Sequence, residues 1–506
     1  MANESLSSAK EAKNDEFYTQ YSDIEAEMNA YVEFNPHVFR GKTILLPCDD
    51  PEWSNFTKYF ASNFERFGLK KLISTSYAKG AANKQPTLFE LDSPLYDAEK
   101  HNTHGKLFTL THDTDGSGNI DTDDVEFSGY LEGDGDFRSP EVCKLRDEAD
   151  IIITNPPFSL FREFLAWIMK ASKDFIILGN MNAITYKEVF PPLKDNKMWL
   201  GYKSLNNDMY FNVTDEYRQW LLKNKKEGSA YKTIDGVVMG RLASACWFTN
   251  IDHGKRHEPL VLDTMAHNLK YNKKLIKKFQ DEYGKVEYPH YDNYDAIEVP
   301  FTEAIPSDYV PEDLTNTNPA YNSSQTDRQT DRQTDRQTEQ NGRITASWEY
   351  QSPSLTSSTP NNSRSSEQPK AKAADSQTDS GMSPAESHNL SSAESANTSG
   401  SSSGRRCNGI MGVPITFLDK YNPEQFEITG ITLGNTVEYE MTHIYENAVQ
   451  HNKDGSTQGG SKVNTRAAVL LSQAPSDMVY YTADNCNGFL LSIYPRILIR
   501  AKAGKR

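Results

Sequence analysis

Short runs of apolar, β-branched residues recur in the first half of the chain, at residues 43–46, 71–75, 149–154 and 175–180. Runs of this kind are typical of strands that are buried on both faces of a parallel sheet. Residues 54–67 and 159–170 have apolar positions at the spacing of an amphipathic helix, and Ser159 is the predicted N-cap of the second helix. Strands and helices therefore alternate, which predicts an α/β domain with a doubly wound, Rossmann-like sheet.

The second half of the chain is predicted to be β-rich, with strands at residues 236–239, 246–249, 411–418 and 490–500. Residues 315–406 are instead dominated by small polar residues, and the tetrapeptide Gln-Thr-Asp-Arg occurs three times from residue 325. A segment with so few apolar residues cannot bury enough surface to offset the entropy that it would lose on folding. We therefore expect it to be a disordered insert in a surface loop. The predicted organisation is a flexible N-terminus (1–13), a catalytic domain (14–250), a target-recognition region (251–314 and 407–506) and the insert (315–406).

Asn155-Pro156-Pro157-Phe158 directly follows the apolar run 149–154, at the carboxyl end of a predicted strand, where open α/β sheets bind ligands. The amino group of a purine or an amide is a poor nucleophile because its lone pair is delocalised. The Asn155 side-chain oxygen and the Pro156 carbonyl are suited to accept its hydrogens and localise that lone pair. The prolines fix the backbone, and Phe158 offers a ring for stacking an extruded base. The motif predicts methyl transfer to an amino nitrogen; a turn without chemistry is the alternative.

The exit loop of the strand at 43–46 is Pro47-Cys48-Asp49-Asp50. It lacks the glycine-rich sequence that cradles the phosphates of a dinucleotide. Its carboxylates suit a cationic or zwitterionic ligand, such as S-adenosylmethionine, better than an anion. A surface acid cluster without a ligand is the alternative.

Several segments together resemble the EcoRI-type adenine-specific DNA methyltransferases, in which the cofactor motif precedes the catalytic motif and the target-recognition region. The resemblance covers residues 14 to about 309 and resumes from about residue 408 to the C-terminus. The segments that carry it are residues 14–21, 46–51, 133–139, 155–158 and 412–420.

The resemblance implies roles for individual residues. Tyr18, Thr19 and Gln20 resemble the motif that closes over the methionine part of S-adenosylmethionine, and the loop Pro47 to Asp50 stands where other methyltransferases have a glycine-rich cofactor loop. Asp136 and Phe137 resemble a pair in which the carboxylate accepts a hydrogen bond from the cofactor adenine and the ring packs on that adenine. A polar turn is the alternative for residues 133–136.

Residues 113–124 match a calcium-binding EF-hand loop, with Asp113, Asp115, Ser117 and Asp124 at ligand positions. The flanking residues 106–110 and 125–127 have the composition of strands, whereas an EF-hand requires helices. We therefore predict an acidic hairpin loop within the catalytic domain and no metal site, with calcium binding as the alternative.

The formal net charge of −16 argues against a polyphosphate ligand. Lysines nevertheless cluster at residues 70–71, 223–226 and 270–278, and the last segment is a helix candidate that suits a phosphate backbone. The five cysteines are scattered without a Cys-x-x-Cys pair, which predicts reduced thiols, no zinc site and a cytoplasmic protein. No apolar stretch is long enough to span a membrane.

These observations predict an S-adenosylmethionine-dependent methyltransferase that acts on N6 of a flipped adenine in double-stranded DNA. We expect the enzyme to belong to a restriction-modification system, with a cognate endonuclease as its partner, or to protect a phage against restriction. We expect it to act as a monomer. Two alternatives remain at this point. One is an RNA or protein-glutamine methyltransferase with the same Asn-Pro-Pro-Phe site, and the other is a catalytically decayed DNA-binding protein.

Overall fold

The computed structural model describes residues 17–50, 54–78, 93–309, 409–433 and 441–502. The predicted flexible N-terminus and the predicted insert at 315–406 lie outside these residues. The described helices are α1 (Tyr21–Phe34), α2 (Asn55–Ser62), α3 (Phe64–Phe67), α4 (Pro140–Glu148), α5 (Phe161–Lys170), α6 (Phe190–Lys194), α7 (Asp215–Asn224), α8 (Met265–Tyr271) and α9 (Lys273–Tyr283).

The described strands, in chain order, are β1 (Phe17–Tyr18), β2 (Thr43–Pro47), β3 (Lys71–Thr75), β4 (Lys106–Leu110), β5 (Glu126–Tyr130), β6 (Ile151–Thr154), β7 (Asp174–Asn180), β8 (Trp199–Leu200), β9 (Met209–Val213), β10 (Tyr231–Ile234), β11 (Val237–Leu242), β12 (Ala245–Thr249), β13 (Ile297–Glu298), β14 (Ile410–Pro414), β15 (Phe426–Ile431), β16 (Val449–His451), β17 (Thr457–Gly459), β18 (Ala468–Leu471), β19 (Tyr480–Thr482), β20 (Phe489–Ser492) and β21 (Arg496–Ala501). They form an eight-stranded sheet, two four-stranded sheets and a five-stranded sheet.

The eight-stranded sheet has the order β5-β4-β3-β2-β6-β7-β12-β8. Its centre, β3-β2-β6-β7, is parallel, while β4 and β12 pair antiparallel with the outer members of that group. From β2 the chain continues to β3 on one side of β2, and it later returns to form β6 on the other side of β2. The strand order therefore reverses between β2 and β6, where α/β sheets bind ligands.

Both faces of the central strands are covered, as their apolar composition predicts. Ile44 and Leu46 of β2 share one core with buried residues of α1, α2 and α3. Leu45, which points to the opposite face, belongs to a second core with Phe164 and Leu165 of α5. The predicted α/β architecture is confirmed as a mixed sheet with helices on both faces.

Three helix predictions need correction. The predicted helix 54–67 is divided at Asn63 into α2 and α3. Ser159 is not the N-cap of α5: a 3-10 turn over Phe158–Leu160 follows the prolines, and α5 begins only at Phe161. The lysine-rich segment 270–278 is divided between α8 and α9 at Asn272, whose side chain caps α9 by accepting from the Leu275 N–H.

The C-terminal region, from residue 409 onward, packs on the N-terminal α/β region through a shared core. Met411 of β14 and Ile497 of β21 lie in the same apolar cluster as Leu45 and Phe161. The predicted strand 411–418 ends at Pro414 and continues as a 3-10 helix, Ile415–Lys420, and the predicted strand 490–500 is two strands, β20 and β21. The strand predicted at 246–249 is β12, which belongs to the eight-stranded sheet. Among the described helices, none has the length and apolar composition that crossing a membrane requires.

Candidate active site

The loops that follow β2 and β6 lie side by side at the point where the strand order reverses. Ile44 and Leu45 of β2 pair with Ile151 and Ile152 of β6 in a parallel register. This register brings the end of each strand to the same edge, and the Thr154 hydroxyl donates to the Pro47 carbonyl at 2.6 Å. The sheet therefore brings two predicted site loops together, Pro47–Asp50 and Asn155–Phe158.

Asp49 connects the two loops through its side chain. Its Oδ2 lies 2.5 Å from Thr154 Oγ1, and its Oδ1 accepts a hydrogen bond from Ser54 Oγ at 2.8 Å. Asp49 is only 7% exposed, and this burial raises the pKa of its carboxyl group to about 7. The Asp49 carboxyl group thus faces protein hydroxyl groups.

The N-terminal segment reaches the catalytic motif through Thr19. Asn155 Nδ2 donates to Thr19 Oγ1 at 3.3 Å, and the Thr19 carbonyl accepts from Asn55 Nδ2 of α2 at 2.8 Å. Thr19 is buried, whereas Tyr18 and Gln20 are half-buried. Tyr18 pairs with Asn212 as part of β1, and Gln20 is the N-cap residue of α1. Thr19 therefore brings this predicted segment to the Asn155 loop.

The Asn155–Phe158 loop combines a buried part with an accessible part. Pro156 is buried, while Asn155, Pro157 and Phe158 are half-buried. Phe158 packs against the core beneath α2 and begins the 3-10 turn. Asn155 and Phe158 thus keep part of their surface accessible, whereas the Asn155 Oδ1 atom itself is buried.

Asp136 lies close to the β2 loop. Its charge contributes, after burial and Asp49, to raising the pKa of the Cys48 thiol. Cys48 has φ of 75°, a left-handed conformation that is unusual for a residue other than glycine and that turns the chain sharply after β2. Asp50, which follows Asp49, is half-buried. The structure thus groups the acidic residues that the sequence assigned to a cofactor.

The Asp136 carboxylate is held by Arg138, which donates from Nε to Oδ1 at 2.9 Å and from Nη2 to Oδ2 at 2.7 Å. The Phe137 ring is 3% exposed and packs in T-shaped geometry against Phe164 and Trp167. Phe137 is therefore first of all a core residue. Its packing on a cofactor adenine, and the hydrogen bond expected at Asp136, stay predictions.

The acidic loop 113–124 joins β4 to β5 as an antiparallel hairpin, so its predicted strand flanks are confirmed. Carboxylate oxygens of Asp113, Asp115 and Asp124 lie within 4.8 Å of one another. They accept hydrogen bonds from their own loop: Gly116 and Gly118 N–H donate to Asp113, and Ser117 N–H donates to Asp115. The Ser117 hydroxyl donates to the Asn119 carbonyl at 3.0 Å. Backbone donors thus account for the clustered acids of this loop.

Sequence reasoning missed three residues that support the site. Thr154, Ser54 and Asn55 each bond to a predicted site residue, yet none stands in a recognisable motif. Ser54 carried the strongest signal, because a serine just before a helical pattern predicts an N-cap, and its Oγ accepts from the Phe56 N–H at 3.1 Å.

Comparison with known proteins gives a consistent family. A family model described as "Adenine-specific methyltransferase EcoRI" matches residues 5–325 and 405–472. The Type II methyltransferase M.EcoRI of Escherichia coli is 38% identical over 307 residues, which are 61% of this chain and 82% of that protein. The Type II methyltransferase M.MpnI of Mycoplasma pneumoniae is 31% identical over 305 residues, 60% of this chain and 76% of that protein. M.MgeORF184P of Mycoplasma genitalium, also named a Type II methyltransferase, is 34% identical over 301 residues, 60% of this chain and 77% of that protein. No solved structure matches the chain with comparable significance.

Proposed function

Because this chain belongs to the EcoRI family of adenine-specific methyltransferases, we propose that it methylates N6 of adenine in double-stranded DNA with S-adenosylmethionine as methyl donor. Adenine-specific methylation of DNA is the activity of the family, in agreement with the Type II methyltransferases that the chain resembles. The donor, the state of the DNA and the roles of individual residues are proposals for this chain.

The observation that carries the proposal is the junction of the Asn155 loop with the β2 loop at the reversal of strand order. Asn155 Nδ2 donates to Thr19 Oγ1, so the opposite edge of the amide presents Oδ1, which can only accept. We assign Oδ1 and the Pro156 carbonyl as acceptors for the adenine amino group. Their fixed directions favour the tetrahedral nitrogen that attacks the methyl group.

Phe158 is assigned as the stacking surface for an extruded adenine. Its ring is half-buried, and its contacts with the core keep it from turning away. Removing a base from the duplex costs a few kcal/mol, and stacking together with the two hydrogen bonds offsets part of that cost. The attacking nitrogen loses a proton after methyl transfer, when it is acidic, so no strong general base is required.

The residues beside the junction fit S-adenosylmethionine. Asp50 and Asp136 carry carboxylates next to Cys48, which suits a sulfonium cation with an amino group, and Thr19 holds the Tyr18–Gln20 segment against Asn155. When bound there, the cofactor supplies an electrophilic methyl group. Tyr18, Thr19, Gln20, Pro47, Cys48, Asp49, Asp50, Asp136 and Phe137 are the residues proposed to hold or surround it.

The biological setting is part of the proposal. A cognate restriction endonuclease is the expected partner in a restriction-modification system, because the relatives are named Type II methyltransferases. We also propose that the enzyme is cytoplasmic and acts as a monomer. A monomer suits a reaction in which one base of one strand is modified.

The test is transfer of a labelled methyl group from S-adenosylmethionine to unmethylated duplex DNA, followed by digestion to nucleosides. Label in N6-methyldeoxyadenosine is the expected result. Label in cytosine, in RNA or in protein alone would contradict the proposal. The matched control is the Asn155→Ala variant, which removes the proposed acceptor and should leave the DNA unlabelled.

A further inference from the structure

Four hydrogen bonds and two links between neighbouring residues form a closed ring beside the proposed site. It runs from Asn155 through Thr19 to Asn55, and then through the neighbouring Ser54 to Asp49 and back through Thr154. The ring joins four parts of the chain: the N-terminal segment, the start of α2, the β2 loop and the end of β6. Asp49 is the member that joins the β2 loop to β6.

Counting hydrogens at Thr154 bears on the state of Asp49. The Thr154 hydroxyl has a single hydrogen but lies 2.6 Å from the Pro47 carbonyl oxygen and 2.5 Å from Asp49 Oδ2. A carbonyl oxygen cannot donate, so the Thr154 hydrogen lies toward Pro47. A protonated Asp49 would supply the second hydrogen, donating from Oδ2 to Thr154 Oγ1, so that Thr154 would not have to share one hydrogen between two acceptors.

The other oxygen of Asp49 agrees with a neutral acid. Ser54 Oγ accepts from the Phe56 N–H and donates its own hydrogen to Asp49 Oδ1. One carboxyl oxygen thus accepts while the other donates. Thr154 is 0% exposed and Asp49 is 7% exposed, so water does not compete for these bonds.

We propose that Asp49 works as a neutral carboxylic acid, a positioning residue that locks Thr154, and through it the adjoining Asn155, against the β2 loop. The inference rests on the proposed function, because Asn155 is the residue whose position matters. Ionised Asp49 would offer only acceptors and would draw the Thr154 hydrogen away from Pro47. Two oxygen atoms would then face each other without a hydrogen, and the ends of β2 and β6 would separate. A displacement of about 1 Å at a reacting group can cost about a hundredfold in rate.

The surroundings of Asp49 favour this protonation. Burial raises the pKa of Asp49 to about 7, and the Asp50 carboxylate adds to the shift. On the same loop, burial above all raises the pKa of Cys48 and the charge of Asp136 adds to the shift, so that thiol stays neutral. Within the described part of the chain, the Asp49 carboxyl group contacts the hydroxyl groups of Ser54 and Thr154, while those of Thr57 and Ser74 contact its backbone carbonyl oxygen, and none of the four carries a charge.

The experiment compares pH profiles of methyl transfer to duplex DNA for the full chain and its variants, from about pH 6 to about pH 8.5. The wild-type rate is expected to fall severalfold with rising pH, with a midpoint near the pKa of Asp49. Asp49→Asn should stay flat, because its amide donates to Thr154 and accepts from Ser54 at every pH. Asp49→Ala should be slow throughout. Asp115→Asn is the control, since it removes a carboxylate from the exposed hairpin loop, outside the proposed site, and should keep the wild-type profile.

Two results would overturn the inference: an Asp49→Asn profile that falls like the wild type, or an Asp49→Asn enzyme as slow as Asp49→Ala at low pH. Absence of transfer to DNA by the wild type would instead refute the proposed function. In that case thermal unfolding still tests whether Asp49 is neutral. The melting temperature of the wild type must fall relative to Asp49→Asn as the pH rises, and parallel curves would refute a neutral Asp49.

Discussion

The loop after β2 and the hairpin loop between β4 and β5 both contain buried aspartates, but they surround the carboxyl group with different partners. Asp49 contacts the hydroxyl groups of Thr154 and Ser54, and burial raises its pKa to about 7. Asp124 accepts from the backbone N–H groups of Thr114 at 2.6 Å and Asp121 at 2.9 Å. These backbone hydrogen bonds, that of Thr114 first, lower the pKa of Asp124 to about 2.

The partners explain why the two shifts have opposite signs. A backbone N–H can only donate, so a set of such groups favours the ionised form of the carboxyl group that accepts from them. A hydroxyl group can donate or accept, so it also tolerates a neutral acid once burial disfavours the charge. The partners of Asp124 therefore favour its charge, whereas Asp49 is proposed to act without one. The distinction separates a structural turn from a site that holds chemistry.

The largest expected effect concerns Asn155, which the site loop positions. We expect Asn155→Ala to lower the transfer rate by about a hundredfold to a thousandfold, because one preorganised acceptor is lost from the transition state. The rise in melting temperature with S-adenosylmethionine should remain, since Asn155 is proposed to contact the adenine. The transfer rate and the melting temperature are both measured on purified protein.

Asn155→Asp is the matched control, because its carboxylate keeps an acceptor of nearly the same shape. It should retain more activity than the alanine variant. Loss of cofactor binding together with transfer in Asn155→Ala would show that the loop is structural, as the hairpin loop is.

The second effect is on stability. Asp49→Ala removes the acceptor of the buried Ser54 hydroxyl group, and leaving such a donor unsatisfied costs about 1–3 kcal/mol. We expect a lower free energy of unfolding in urea. Asp115→Ala in the exposed hairpin loop is the control and should change it by about 0.5 kcal/mol or less. Equal losses of unfolding free energy in the two variants would mean that the burial of Asp49 does not increase the cost of removing its side chain.

Part of this contrast could be predicted from the sequence. The central strands were predicted almost to the residue, because runs buried on both faces have few polar positions. The N-cap at Ser159 was wrong because Pro156 and Pro157 are followed by a 3-10 turn that delays α5 to Phe161. The apolar pattern at 411–418 did not distinguish the strand β14 from the 3-10 helix that follows Pro414, since short apolar runs fit both.

The contact between Asp49 and Thr154 could not be predicted, because it depends on the register of two parallel strands. The residues are 105 positions apart in the chain. A shift of one residue between β2 and β6 would separate them and reverse every side chain on the strand. No local pattern specifies that register, whereas the acids of the hairpin loop are neighbours in sequence and were recognised as a group.

The pH dependence of stability should have opposite signs in the two loops. The folded pKa of Asp49 is raised, so its stabilising contribution is full below the unfolded value of about 4 and is lost as the pH rises through about 7. The folded pKa of Asp124 is lowered, so its contribution is present above about 4 and is lost as the pH falls through about 2. Melting temperatures of Asp49→Asn and Asp124→Asn, each compared with the wild type across pH, measure both.

The smallest expected effect is that of calcium on the hairpin loop. Asp113, Asp115 and Asp124 already accept backbone N–H groups, and an ion would have to compete with these donors for the same oxygens. We therefore expect neither calcium nor a chelator to change the rate of methyl transfer or the melting temperature. Asp115→Asn should behave as the wild type does with and without calcium. The contrary result is a melting temperature that rises with the calcium concentration in the wild type but not in Asp115→Asn. It would show that the loop binds an ion, and the carboxylates of the loop would then interact with that ion as well as with the backbone.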